Sequence, residues 1–96
     1  MFIVFLRFGE QKARAAELMA AHKAWLEQGL AAGIFLAVGS IKPGAGGFIL
    51  ASGESEPQLQ QRLRQDPFVA EGVVTLELVV VEPNQTDPRL AFLKAG

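Results

Sequence analysis

The chain contains one histidine, His22, and no cysteine, so few side chains can do chemistry near neutral pH. Without cysteine there is no disulfide, thiolate nucleophile or zinc–sulfur site. An imidazole can take or give a proton, and a carboxylate bonded to one ring nitrogen fixes the tautomer and makes the other nitrogen more basic. Asp66 is the candidate partner. We therefore predict that His22 and Asp66 form a catalytic acid–base pair.

Both residues also have structural interpretations. His22 could be a buried histidine bonded to a backbone carbonyl. Asp66 precedes Pro67, and aspartate followed by proline is the usual N-cap and first residue of a helix. Capping and catalysis are compatible, because a carboxylate has two oxygens and several lone pairs. Sequence spacing alone does not bring the two residues together.

Other motifs give weaker indications. The run Gly44-Ala45-Gly46-Gly47 is followed by neither Lys-Ser nor a helix, which indicates a hairpin and not a phosphate-binding loop. The imidazole is not part of a metal-ligand motif, so we expect no metal and no cofactor. Trp25 and Phe68 are expected in the core or in the wall of a substrate pocket, where we assign them a substrate-binding role.

A strand and a long helix are the first of the predicted elements that must position His22 and Asp66. Residues 2–8 are rich in aromatic and β-branched types, whereas Gln11 to about Ala32 is rich in strong helix formers. An apolar stripe with a spacing of three and four residues includes His22, which therefore points toward a sheet. The stripe consists of Ala15, Leu18, Met19, His22, Trp25, Leu26 and Gly29, and the outer faces carry Lys12, Lys23 and Glu27.

A hairpin and a second helix follow. Ile34–Ile41 and Gly47–Ser52 are predicted strands, and the short glycine-rich loop between them makes them antiparallel neighbours. Ser55 through Gln58 matches a capping box, which starts a helix that runs to about Gln65.

The last part of the chain completes the fold. Asp66-Pro67-Phe68 begins a single helical turn closed by Gly72, and Val73–Glu82 is the fourth strand. Residues 83–96 form a tail. The order β-α-β-β-α-β is the split β-α-β pattern of ferredoxin-like domains, so we expect one α+β domain over residues 1–96 with a four-stranded antiparallel sheet.

Both faces of this sheet are apolar, which predicts a homodimer. Strand one places Phe2, Val4, Leu6 and Phe8 on one face and Ile3 and Phe5 on the other. Strand four places Val74, Leu76, Leu78 and Val80 on one face and Val73, Thr75, Val79 and Val81 on the other. Two helices cover only one face, and the second face is best covered by a second copy of the sheet. The alternative is a monomer whose C-terminal tail lies over the sheet.

Charge and hydropathy limit the classes of partner that the protein is expected to bind. The formal net charge of −1 gives no basic surface for nucleic acid or an anionic membrane. The N-terminus has no signal-peptide pattern, and no apolar run approaches the roughly 20 residues of a membrane-spanning helix. We expect a cytoplasmic protein with a small-molecule partner.

In combination, these motifs resemble the YCII-related domain family, whose members belong to the dimeric α/β barrel superfamily. The resemblance runs from strand one to strand four and rests on short motifs in a shared order and spacing. They are His22, the Leu26–Gly33 run, Gly39, the glycine-rich hairpin, and Asp66-Pro67-Phe68 with Gly72.

The resemblance implies a ferredoxin-like fold that dimerises into a dimeric α/β barrel, with the family's histidine and aspartate paired at His22 and Asp66. Proteins with this barrel include isomerases, dehalogenating lyases and cofactor-independent oxygenases that act on small, often aromatic, molecules. The family commonly has Gly-Pro where this chain has Gly39-Ser40, so the pocket rim differs and Ser40 is expected to add a polar substrate contact.

Three functional hypotheses follow, in order. The first is an isomerase or lyase in which His22, oriented by Asp66, moves a proton on a small organic substrate. The second is a non-catalytic dimer that binds or senses a small ligand in the same pocket. The third is haem or metal ligation through His22.

Overall fold

The computed structural model describes residues 1–95, in which four strands and three α-helices follow the predicted order. They are β1 (Phe2–Phe8), α1 (Ala15–Ala31), β2 (Phe35–Ile41), β3 (Gly46–Ala51), α2 (Glu56–Leu63), α3 (Pro67–Ala70) and β4 (Val74–Val80). Two 3-10 segments, Lys12–Arg14 and Pro88–Ala95, precede α1 and follow β4. No helix in the described part of the chain is long and apolar enough to cross a membrane.

The strands form one antiparallel sheet in the order β2-β3-β1-β4. This is the ferredoxin-like α+β arrangement that the sequence predicted, including the β2–β3 hairpin. Most predicted boundaries move by one or two residues, and two of the differences have a plain structural reason. The first helical residues, Lys12–Arg14, are wound as a tighter 3-10 turn, so α1 begins at Ala15 and not at Gln11. Strand β4 ends at Val80 because its neighbour β1 begins at Phe2, which pairs with Val80.

The helices cover one face of the sheet. Strand β1 contributes Phe2, Val4 and Leu6 to this core, as the alternation predicted, and α2 contributes the predicted pair Leu59 and Leu63. The buried side chains that pack with them from the other elements are Ala15, Trp25, Phe35, Ile49, Ala51, Phe68, Val73 and Val74. The prediction that Val73 lies on the face opposite Val74 was wrong, because its N–H bonds to the Phe68 carbonyl at the close of α3 and the residue is fully buried.

Within residues 1–95, no helix lies over the opposite face of the sheet. Its centre is the row formed by Ile3 of β1, Leu50 of β3 and Val79 of β4, which are direct cross-strand neighbours and only partly buried. Phe5 and Phe48 continue the apolar surface, and an Arg7–Glu77 ion pair closes one end. We call this surface the open face.

The C-terminal tail folds back against the end of the sheet where β1 begins. Leu93 is buried there, and together with Phe92 it lines a groove that also contains Met1 and Phe2. The residues that line this groove with the tail lie at the end of the sheet and toward α2. The described part of the tail therefore leaves the centre of the open face uncovered.

The glycine-rich hairpin is fixed to β1 by close backbone contact. Gly46 has a φ of +145°, and a Cβ at this position would lie 1.9 Å from the Leu6 carbonyl oxygen. Gly44 has a φ of +73°, but a Cβ there would meet nothing within 4 Å. Only glycine allows the chain to pass this close to β1 at residue 46.

The two glycines therefore differ in their tolerance to alanine. Gly44→Ala should lower the free energy of unfolding by about 1 kcal/mol, the usual cost of a left-handed non-glycine residue. Gly46→Ala adds a backbone clash, and we expect a loss of about 3 kcal/mol. Urea denaturation of both variants measures the difference, and equal losses would show that the close contact at Gly46 does not limit the substitution.

Candidate functional site

The candidate site lies where the middle of α1 faces the start of α3. His22 is on the sheet-facing side of α1 with Trp25 and Gly29. A Cβ at Gly29 would lie 2.1 Å from the Phe35 ring, so the glycine allows α1 to pack closely on β2. Asp66 is the N-cap of α3, where its Oδ1 accepts a hydrogen bond from the backbone N–H of Phe68 at 3.0 Å.

The His22 and Asp66 side chains are hydrogen-bonded. The distance from Nδ1 of His22 to Oδ1 of Asp66 is 2.7 Å, and the exposed fractions of the two side chains are 12% and 0%. This distance is typical of a charge-assisted hydrogen bond. Because a carboxylate only accepts, the Nδ1–H of the imidazole donates to it, and Nε2 is left with a lone pair in the neutral ring.

Aromatic side chains hold the imidazole in its plane. The Phe68 ring stacks on it with centroids 4.0 Å apart and an interplanar angle of 5°. Trp25 lies farther away, at 6.0 Å and 29°, and its indole N–H donates to the Arg62 carbonyl at the end of α2. The ring of His22 is therefore fixed by one hydrogen bond and one stacking contact.

His22 borders a cavity of about 400 Å³ between α1, the sheet and the glycine-rich hairpin. Its walls are mainly apolar side chains, and the polar ones are few. The lining residues are Leu6, Phe8, Met19, His22, Lys23, Leu26, Val38, Gly39, Ser40, Gly44, Gly46, Gly47, Phe68 and Val74. Among residues 1–95, no group forms a hydrogen bond to Nε2 of His22. A bound molecule in this cavity can therefore meet an unoccupied basic nitrogen.

The other residues predicted for substrate binding have different positions. Ser40 and Phe68 line the cavity with His22, whereas Trp25 does not line it and packs behind the imidazole. Lys23, which the sequence placed on the outer face of α1, is part of the lining. Met19 and Leu26 form apolar parts of the cavity wall, and both belong to the helix stripe that the sequence showed. The sequence did not show which residues of that stripe line a cavity and which pack in the core.

Two further features bear on the chemistry. Asp66 Oδ2 is buried and has no hydrogen-bond partner within residues 1–95. Oδ1 therefore accepts both hydrogen bonds that this carboxylate receives there. In the part of the chain that the structure describes, no three histidine, aspartate or glutamate side chains are grouped closely enough to hold a metal ion.

Comparison with solved structures found a protein with the same fold. The chain resembles the 5-chloro-2-hydroxyhydroquinone dehydrochlorinase TftG from Burkholderia phenoliruptrix, solved in complex with 2,5-dihydroxybenzoquinone, with a TM-score of 0.69 and 20% sequence identity. The match covers 84% of this chain and 93% of that one, and at this identity it shows a shared fold. No curated protein sequence matches the chain significantly.

Comparison with protein families agrees with the resemblance seen in the sequence. The sequence model of the YCII-related domain matches residues 1–82, which include every strand and α-helix described above. The chain belongs to the YCII-related domain family.

Proposed function

We propose that the protein is a small-molecule enzyme of the isomerase or lyase type in which His22 is the general base and acid. The observation that carries this proposal is the 2.7 Å bond from Nδ1 to the buried Asp66 carboxylate, which leaves Nε2 available on a residue that lines a cavity of about 400 Å³. Cavities of this volume suit small organic ligands. The substrate is thus a small molecule held between α1 and the sheet.

The chemistry begins when Nε2 takes a proton from a carbon or oxygen atom of the substrate. The imidazolium that forms keeps its Nδ1–H on Asp66, whose negative charge stabilises it. In an isomerase, Nε2 returns the proton to another substrate atom. In a lyase, the electron pair left on the substrate expels a leaving group, and the proton is later released to solvent.

The cavity walls support a proton transfer of this kind. Apolar side chains exclude water from the transfer, and the stacked Phe68 prevents the imidazole from turning. The name of the structural relative supports the lyase form, because a dehydrochlorination is an elimination. Ser40, which lines the same cavity, is placed to bond a polar substituent of the substrate.

We also propose that the working unit is a homodimer. The central row of the open face, formed by Ile3, Leu50 and Val79, is apolar, and no helix of the described chain lies over it. A second copy of the sheet, related by two-fold symmetry, would bury this surface. The tail does not compete for it, since Leu93 is buried at the sheet end.

The first prediction concerns the tautomer of His22. In Asp66→Ser the shorter side chain can still cap α3, as Ser55 caps α2, but it cannot reach the imidazole. We expect the neutral ring to carry its proton on Nδ1 in the native protein and to move toward a mixture of tautomers in Asp66→Ser. Two-bond proton–nitrogen NMR correlations measure this, and the single histidine makes the signals unambiguous.

Asp87→Ser is the matched control, because the Asp87 carboxylate also accepts a backbone N–H two residues ahead, from Arg89 in the tail. The control should leave the His22 signals unchanged. The same tautomer in the native protein and in Asp66→Ser would show that the aspartate does not set it.

The second prediction concerns turnover. Small hydroxylated hydroquinones and quinones, including 5-chloro-2-hydroxyhydroquinone, are incubated in D₂O, and NMR follows deuterium uptake while chloride release is assayed in parallel. His22→Gln should lower kcat/KM by about 10²- to 10⁴-fold, the usual contribution of a general base, and Asp66→Ser by a smaller factor. Binding of 2,5-dihydroxybenzoquinone without any exchange or elimination would favour the ligand-binding alternative.

The third prediction concerns the dimer. Ile3→Glu places a charge at the centre of the open face, so the variant should elute as a folded monomer, whereas the native chain should have twice its 10.3 kDa mass. Light scattering after size-exclusion chromatography gives the masses. Leu30→Glu is the control, because Leu30 is an exposed apolar residue of α1 away from the open face. A native monomer, or equal effects of the two substitutions, would contradict the proposal.

A further inference from the structure

We infer that the cavity beside His22 selects small organic anions, whose negative group contacts the ammonium groups of Lys23 and Lys12 at the mouth. This inference rests on the proposed function, because it names the substrate class of the same site. The ligand would carry a carboxylate, or an ionised enol or aromatic hydroxyl group, on a flat apolar body.

The charge of the cavity wall is the first observation. Among the lining residues of the described chain there is no aspartate or glutamate, and Lys23 is the one side chain that always carries a charge. Leu6, Phe8 and Phe68 provide an apolar floor for the body of a ligand. An anion therefore meets a positive group at the wall and no repelling carboxylate on the surface of the cavity.

Lys23 is available to a ligand. It follows His22 directly in α1, and within residues 1–95 no carboxylate oxygen lies within 4.0 Å of its ammonium nitrogen. Glu27, one helical turn ahead, is also farther than 4.0 Å from this nitrogen. An unpaired lysine beside a proposed general base is the simplest partner for a negatively charged substrate.

Lys12 adds a second positive charge at the rim. Its Nζ donates to the Gly44 carbonyl at 3.2 Å and lies 5.2 Å from the centre of the Phe8 ring. Gly44 and Phe8 both line the cavity, so these two contacts hold the ammonium at the mouth. One carbonyl leaves donors of this ammonium group free, because a lysine has three.

The nearby acidic residues do not cancel these charges. Arg14 binds Glu17 at 2.8 Å and Glu71 at 3.2 Å, which offsets the charge of these two carboxylates. Within residues 1–95, neither Glu10, two residues before Lys12, nor Glu27, one turn after Lys23, forms an ion pair with either lysine. Asp66 is fully buried, with its Oδ1 bonded to His22. Lys23 therefore lines the cavity and Lys12 lies against two residues of its lining, Gly44 and Phe8, whereas the Asp66 carboxylate is buried.

The same arrangement would assist catalysis. When Nε2 of His22 removes a proton, further negative charge develops on the bound anion, and a nearby ammonium group stabilises this more highly charged transition state more than the ground state. Lys23 is thus placed to favour both the binding of an anion and the transition state for proton removal.

The test compares benzoate with benzamide, which have nearly the same shape and differ in charge. Neither probe reacts, so their dissociation constants can be measured from the His22 ring signals at low ionic strength. We expect benzoate to bind about tenfold more tightly than benzamide. Lys23→Gln and Lys12→Gln should each weaken benzoate binding by about threefold and leave benzamide binding unchanged.

Lys94→Gln is the matched control. It removes the same charge from the tail, which packs at the Phe2 end of β1, whereas the cavity lies toward Phe8 at the other end. This variant should bind benzoate as the native protein does. Equal affinity for the two probes, no movement of the His22 signals with either, or an equal effect of Lys94→Gln would each overturn the inference.

These outcomes are independent of the proposed reaction. Charge selection without any turnover would support the anion site and contradict the enzyme. Turnover that depends on His22, combined with equal binding of benzoate and benzamide, would support the enzyme and contradict the anion site.

Discussion

One oxygen atom, Oδ1 of Asp66, accepts both a backbone N–H that starts α3 and the ring N–H of His22. The first bond gives a four-residue helix its N-cap, and the second joins that helix to the middle of α1. Both donors converge on the same fully buried carboxylate, so one side chain serves the cap and the imidazole together. The position of α3 and the orientation of the imidazole are therefore set by one group. The structural and catalytic interpretations of Asp66 are compatible here.

Around this bond, aromatic contacts link the helix layer to the site. Phe68 donates its N–H to Asp66 and stacks its ring on the imidazole, so it serves the cap and the pocket wall at once. Trp25 packs behind the imidazole and bonds the Arg62 carbonyl, which connects α1 to the end of α2. Trp25, which the sequence suggested for substrate binding, does not line the cavity, and its ring centre lies 6.0 Å from that of His22.

Periodicity and capping chemistry predicted the fold well. The alternation in β1, the stripe of α1, the capping box at Ser55 and the glycine-rich hairpin are all local signals, and each corresponds to the observed element. Strand ends were less predictable, because the end of β4 depends on where its neighbour β1 begins. Val73 was placed on the wrong face because strand alternation ignores the close of α3 against the sheet.

The candidate site was predictable only in part, for a related reason. His22 was identified by its residue type and its inward direction, but the distance to Asp66 depends on how α3 packs against α1, which no local pattern reports. Lys23 was assigned to the outer surface because a helix turns about 100° per residue. A long lysine side chain can nevertheless reach around the helix to the cavity beside its neighbour.

His22 and Asp66 are separated by 44 residues, and this separation has a consequence for folding. Contacts between distant parts of a chain form late, after the cost of closing the intervening loop has been met. The stretch between the two residues contains the end of α1, the whole β2–β3 hairpin and α2. A partly folded molecule that has only β1 and α1 therefore carries the imidazole without its acceptor. The proposed proton transfer would then require a chain that is folded at least from α1 to α3.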